Sequence, residues 1–161
     1  MRSRPVSNLA ALAVAALAVG ASIAQVPKEG PVDLSMCFGG PTQTVSPTPQ
    51  DRFGTYALMG GARAAAGPAD ALSVECLGIF EAGTRGAASQ GYCVFQEASG
   101  DKIFGVDVRN AQGYTWEWRG GTGRFAGITG SGTLEVVGVM APVRPGTLQG
   151  CRRVTGRYRL P

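Results

Sequence analysis

Histidine is absent from all 161 residues. With it go Ser-His-Asp and Cys-His catalysis, imidazole-ligated metals and an imidazole proton shuttle. There is no CxxC pair either, so the four cysteines lack the spacing of a metal site. Helix-forming runs are nearly missing. Gly60 to Ala71 is the one stretch of helical composition, and Gly67 and Pro68 interrupt it, so it is expected to make one or two turns at most.

Long apolar runs are also missing, with one exception. Leu9 to Ala21 is rich in Ala, Leu and Val, follows Arg2 and Arg4, and leads to Ser22-Ile23-Ala24. That order reads as a secretory signal over residues 1–24, cleaved before Gln25. A membrane anchor needs about 20 apolar residues. The run is shorter, and Pro27, Lys28 and Glu29 follow at once. Leu34-Ser35-Met36-Cys37 is a poor lipid-attachment box, because Met36 is bulky and the site lies far beyond the apolar run. Cleavage leaves 137 residues, the size of one domain with a single core. The expected location is periplasmic or secreted, with no integral membrane span after cleavage.

What remains is nearly balanced in charge, with thirteen Lys and Arg against eleven Asp and Glu. A small net charge outside the cell argues against a nucleic-acid partner. The charge is unevenly spread: residues 119–161 carry seven arginines against Glu135 alone, whereas residues 25–118 are net acidic. Either an anion-attracting rim or a merely solvated face would fit, and solvation is favoured.

An even number of cysteines in an exported chain points to two disulfides. Four cysteines allow three connectivities, and the sequence does not choose among them. The preferred pairing is Cys76–Cys93, closing a loop of about 18 residues worth about 3 kcal/mol, with Cys37–Cys151 tying the start of the domain to its end.

Half of the ten prolines lie in residues 25–50, which read as an extended lead-in or edge segment. Beyond it, residues 51–161 show short β-type runs between glycine-rich turns. The expected strands are Phe53–Met59, Ser73–Glu81, Gly91–Glu97, Lys102–Arg109, Gly113–Arg119, Gly132–Met140 and Arg152–Leu160. In the last of them Val154, Gly156, Tyr158 and Leu160 alternate with Arg153, Thr155, Arg157 and Arg159, so one face is apolar and the other basic. One-sided strands of this kind fit an all-β fold: a small antiparallel closed or nearly closed β-barrel of about eight strands. An outer-membrane barrel would put apolar side chains outside and needs strands of about 9–11 residues, longer than most of these runs.

Asn110-Ala111-Gln112-Gly113 separates two of these strands. A two-residue loop would oppose Val106 to Glu117 and mix apolar with charged groups. A three-residue loop with Gly113 as a bulge puts Phe104, Val106, Val108, Tyr114, Trp116 and Trp118 on one face, and that register is expected. Phe104, Tyr114, Trp116 and Trp118 are thus candidate ligand-binding residues, with core packing the favoured alternative. Glu75 alternates in phase with Leu77 and Ile79. If it points inward, a raised pKa would suit it to acid–base catalysis, although fully buried Glu is rare and a solvent-facing position is favoured.

Gly120 to Leu134 (GGTGRFAGITGSGTL) combines turns that tolerate positive φ with an apolar contact through Phe125 and Ile128. Gly121-x-Gly123-x-x-Ala126 mimics a dinucleotide loop, but no helix follows to meet a phosphate, and no cofactor is expected. The segment resembles the GGTG-[RK]-F stretch of dirigent proteins, a family similar in style to allene oxide cyclases. The resemblance implies an eight-stranded antiparallel barrel with a hydrophobic cavity that guides or cyclises small apolar intermediates. No catalytic residue of those families matches a position here. The expected function is a binding module for a small apolar molecule or a partner protein of the cell envelope. The alternatives are a cofactor-free cyclase or guide, and a secreted inhibitor or envelope structural protein.

Overall fold

The computed structural model describes residues 26–161; the signal sequence expected over residues 1–24 lies outside them. The strands are β1 (Glu29–Val45), β2 (Arg52–Ala66), β3 (Ala71–Gly83), β4 (Gly86–Gln96), β5 (Lys102–Asn110), β6 (Gly113–Gly121), β7 (Thr129–Met140) and β8 (Thr147–Arg159). Each pairs antiparallel with its sequence neighbour, and β1 pairs with β8, closing the barrel. Closure satisfies both edges of every strand's ladder, which a chain of one-sided ribbons otherwise leaves open.

The expected strands are all present, but the structure corrects four details. Residues 25–50 are extended, yet Glu29–Val45 is no lead-in; it is the longest strand and pairs on both sides, so the barrel begins at Glu29 instead of residue 51. Only Pro31 and Pro41 fall within it, and the other prolines of that stretch flank it. The segment from Gly60 is strand, not helical turn, because β2 runs on to Ala66 opposite β1 and β3. Strand lengths of 9 to 17 residues remove the length argument against a membrane barrel. What speaks against one is the interior, which holds the aromatic core where a membrane barrel holds polar side chains.

The fourth correction is the β5–β6 hairpin. Asn110 lies opposite Gly113, leaving Ala111 and Gln112 alone in the turn, and Val106 faces Glu117. The Asn110 side chain accepts a hydrogen bond from the Gln112 backbone N–H at 2.9 Å, which favours this tight turn. A register shift between Phe104 and Gly105 then restores alignment further along. The inner face of β5 is therefore Ile103, Gly105, Asp107 and Arg109, while Phe104, Val106 and Val108 point outward. The reason is volume. A Cβ at Gly105 would lie 2.9 Å from Trp118 Cδ1, so the indole fills the space that a valine at this inner position would need.

The two disulfides join facing residues: Cys37–Cys151 across β1 and β8 on the outer surface, and Cys76–Cys93 across β3 and β4 inside. Such bonds belong to an oxidising environment. Beside the first, Asp33 and Arg153 form a two-pronged ion pair at 2.8 and 3.0 Å that holds the Asp33 carboxyl below its usual pKa.

Candidate functional site

The lumen is filled at one end and open at the other. At the filled end Trp116 and Trp118 pack at a 51° tilt with ring centres 4.9 Å apart, and Phe95 meets Trp118 edge-on at 6.1 Å. Trp116 donates its indole N–H to the Thr155 carbonyl at 3.0 Å. Below them, a short 3-10 turn (Gly123–Phe125) with positive φ at Gly123 and Gly127 inserts Phe125 and Ile128, both fully buried. Arg124 clasps the plug from outside through Glu97 at 2.6 Å and the Pro68 carbonyl at 3.2 Å. The segment of Gly120 to Leu134 that stands out in the sequence is thus a stopper, and its two apolar side chains are the contact it makes.

Above the tryptophans lies a buried polar cluster. Asp107 is only 5 % exposed. Its carboxylate accepts a hydrogen bond from the Tyr114 hydroxyl at 2.5 Å and pairs with Arg152 at 3.4 Å. The Arg152 guanidinium sits 4.6 Å from the ring centres of both Phe38 and Tyr114, so its charge is desolvated against aromatic faces. Tyr56 completes the group. It is 6 % exposed, and its hydroxyl has no hydrogen-bond partner, the one such side-chain atom among the described residues. Gly78 and Gly91 make room for it: a Cβ at either would overlap the phenol, and one at Gly91 would also strike Asp107.

The open end is a cup of about 330 Å³ that reaches down to Tyr56 and Arg152. Its wall combines apolar Phe80 and Leu148 with Thr44 and Ser89, and Arg52 and Arg109 stand at its mouth. Two larger concavities, about 700 and 560 Å³, lie on the outer surface around Ile79 and Gln90. The larger continues over the rim into the cup through Thr44, Phe80, Ser89 and Arg109, and the smaller touches Tyr56 beside Gly78 from the other side of the sheet. The same outer face carries a contiguous row, Ala57, Leu77, Tyr92 and Val106, across β2 to β5. Leu77, Ile79 and Tyr92 are each more than half exposed.

Burial pushes the Tyr56 hydroxyl up to about 12, helped by the nearby Asp107 charge, and the same causes raise Tyr114 further. Because the folded pKa is raised, this contribution to stability is complete below pH ~10, where free tyrosine titrates, and is lost as pH rises toward the folded value. For Tyr56 alone the loss between pH ~10 and ~12 is on the order of 2–3 kcal/mol. Urea midpoints should fall steeply across that window, with phenolate absorbance appearing together with unfolding. A flat midpoint there would mean that neither hydroxyl is held neutral.

Of the residues singled out in the sequence, Tyr114, Trp116 and Trp118 come together inside the barrel, but only Tyr114 joins the polar cluster; the tryptophans are core. Phe104, 39 % exposed, lies on the other side of the sheet and cannot share a site with them. Glu75 points outward with Leu77 and Ile79, because the whole phase of β3 is inverted: Leu72, Val74 and Cys76 fill the interior. That outward position corrects the expectation of an inward acid or base at Glu75 and matches the solvent-facing alternative. Tyr56, Asp107 and Arg152 were missed, although Arg152 continues the inward phase of Val154, Gly156 and Tyr158. Comparison with known protein families, curated proteins and solved structures finds no match to this chain.

Proposed function

We propose that the barrel is an exported small-molecule binding module and that the cup is its site. A single observation carries this: a tyrosine that lines an open cavity while its hydroxyl, shielded between Gly78 and Gly91, has nothing to bond to. An unpaired buried hydroxyl costs a fold about 1–3 kcal/mol. A chain tolerates that where a ligand supplies the missing partner, and a cavity near the low end of the ~300–1,000 Å³ range suits a small ligand. The cup is not wholly apolar, so the ligand has polar groups as well as an apolar body.

Tyr56→Phe separates this role from a structural one. The variant should be more stable than the parent by on the order of 1 kcal/mol, since it removes an unsatisfied group at almost constant shape. It should also bind less ligand. Native mass spectrometry of protein taken from its own envelope should show a small-molecule adduct that Tyr56→Phe weakens. A stoichiometric protein in place of the adduct favours the partner-protein reading, which draws on the exposed Leu77, Ile79 and Tyr92 face. No adduct together with a destabilised Tyr56→Phe removes the proposal.

A cofactor-free cyclase or guide in the allene oxide cyclase or dirigent manner would use the same cup, since Tyr56 and Arg152 reach it. Its acid–base arm would rest on Tyr56, because Asp107 is engaged by Tyr114 and Arg152 beneath the floor. A hydroxyl with a pKa of about 12 is a hydrogen-bond donor at neutral pH and a poor base. Binding is the better-supported activity. Periplasmic or secreted residence is part of the same proposal and fits the two disulfides.

A further inference from the structure

We infer that the cup takes a small monocarboxylate that carries a neutral hydrogen-bond acceptor at the end away from its charge. This rests on the binding role proposed above and names the ligand class.

The charge comes from the mouth. Arg52, Arg109 and Arg152 line the cup, against Glu81 at the rim and Asp107 beneath the floor. Three guanidiniums against two carboxylates leave one positive charge without a counterpart. Neither Arg52 nor Arg109 has a carboxylate within ion-pair distance among the described residues, whereas five other arginines do. Both lie in the inward phase of their strands, Arg52 with Gly54 and Tyr56, and Arg109 with Asp107. Exposed arginines on an outer face merely solvate it; at a concave mouth with apolar walls they focus their field on what enters. A single anionic group balances the excess, and a carboxylate is the organic monoanion that guanidinium geometry suits.

The orientation comes from the floor. Tyr56 and Asp107 both flank Gly91, so an anion driven down to the Tyr56 hydroxyl would meet the Asp107 charge. Arg152 is already committed to that charge. The ligand atom that meets Tyr56 is therefore a neutral acceptor, such as a carbonyl oxygen, with the phenol donating. Phe80 and Leu148 lie between mouth and floor and suit an apolar middle. A wholly apolar ligand would leave the phenol unpaired and strip water from the arginines without return.

Three probes test this by calorimetry at low ionic strength: 4-acetylbenzoate, its neutral methyl ester, and 4-ethylbenzoate, which keeps the charge but lacks the ketone. The first should bind most tightly, and each of the others roughly fivefold or more weakly. Arg109→Gln should weaken both acids and leave the ester unchanged. Tyr56→Phe should make 4-acetylbenzoate and 4-ethylbenzoate equal. Raised salt should weaken the acids only. If the ester binds as tightly as the acid, the anionic class is wrong while the binding cup stands. If 4-ethylbenzoate matches 4-acetylbenzoate in the parent protein, the acceptor at Tyr56 is wrong. If none of the three binds at millimolar concentration, the ligand class is overturned; the mass-spectrometric adduct then decides separately whether the cup binds anything.

Discussion

Asp107→Ala is expected to destabilise the barrel by about 3–5 kcal/mol, because it leaves the Arg152 guanidinium buried and uncompensated. The Tyr114 hydroxyl, which now donates to Asp107 at 2.5 Å, also loses its acceptor. Combining Asp107→Leu, Arg152→Met and Tyr114→Phe should recover most of that loss. It removes both charges and the hydroxyl together, and apolar replacement of a buried ion pair is often neutral or stabilising. Urea unfolding of the two variants checks the contrast. Equal losses in both would mean that these side chains matter as volume and not as charge. The repaired barrel loses one charge of each sign and keeps Arg52 and Arg109 at its mouth, so it should still bind a carboxylate.

The second large effect belongs to the disulfide that closes the barrel. Cys37→Ala with Cys151→Ala opens a bond spanning 114 positions, whereas Cys76→Ala with Cys93→Ala opens one spanning 17. Loop-closure entropy alone gives about 5 kcal/mol for the first and about 3 for the second. The outer bond should therefore matter more, although it is the inner bond that sits in the core. Chemical denaturation of the two pairs of variants reads the difference directly. The reverse order would show that packing around the buried sulfurs outweighs chain entropy.

Much of this barrel was legible in its sequence, for reasons particular residues make clear. Val154 to Leu160 alternates without interruption, and its face assignment holds along β8. Two bridges followed from the even cysteine count and the absence of histidine. The first strand is obscured by its prolines, which donate nothing to a ladder and so read as edge or lead-in material. In β1 Pro31 and Pro41 lie opposite Arg157 and Thr147 and leave the ladder around them intact.

The site was hidden for a different reason. Assigning a face by keeping apolar residues together presumes that nothing polar faces inward, and this interior holds Asp107. Its partners lie elsewhere in the chain: Tyr114 across the hairpin and Arg152 on the last strand, 45 positions away. No local period reveals that such a charge has a partner. Glycine gave the available hint. The inner phase of β5 reads Ile103, Gly105, Asp107, small where Trp118 is large, so the register was set by indole volume rather than by hydrophobicity. The same rule explains β3, where Leu77 and Ile79 stay outside while Gly78 yields its inner place to the Tyr56 ring.

The closing seam also fixes where the polypeptide leaves the barrel. The Leu160 backbone N–H bonds the Lys28 carbonyl at 2.6 Å, and Lys28 reaches the Pro161 carbonyl. Both lie at the stoppered end, beside Gly127, whereas the cup opens between Thr44 and Thr147 at the far ends of β1 and β8. A support joined at Lys28 or Pro161 therefore lies at the end away from the mouth and leaves it free to sample solution.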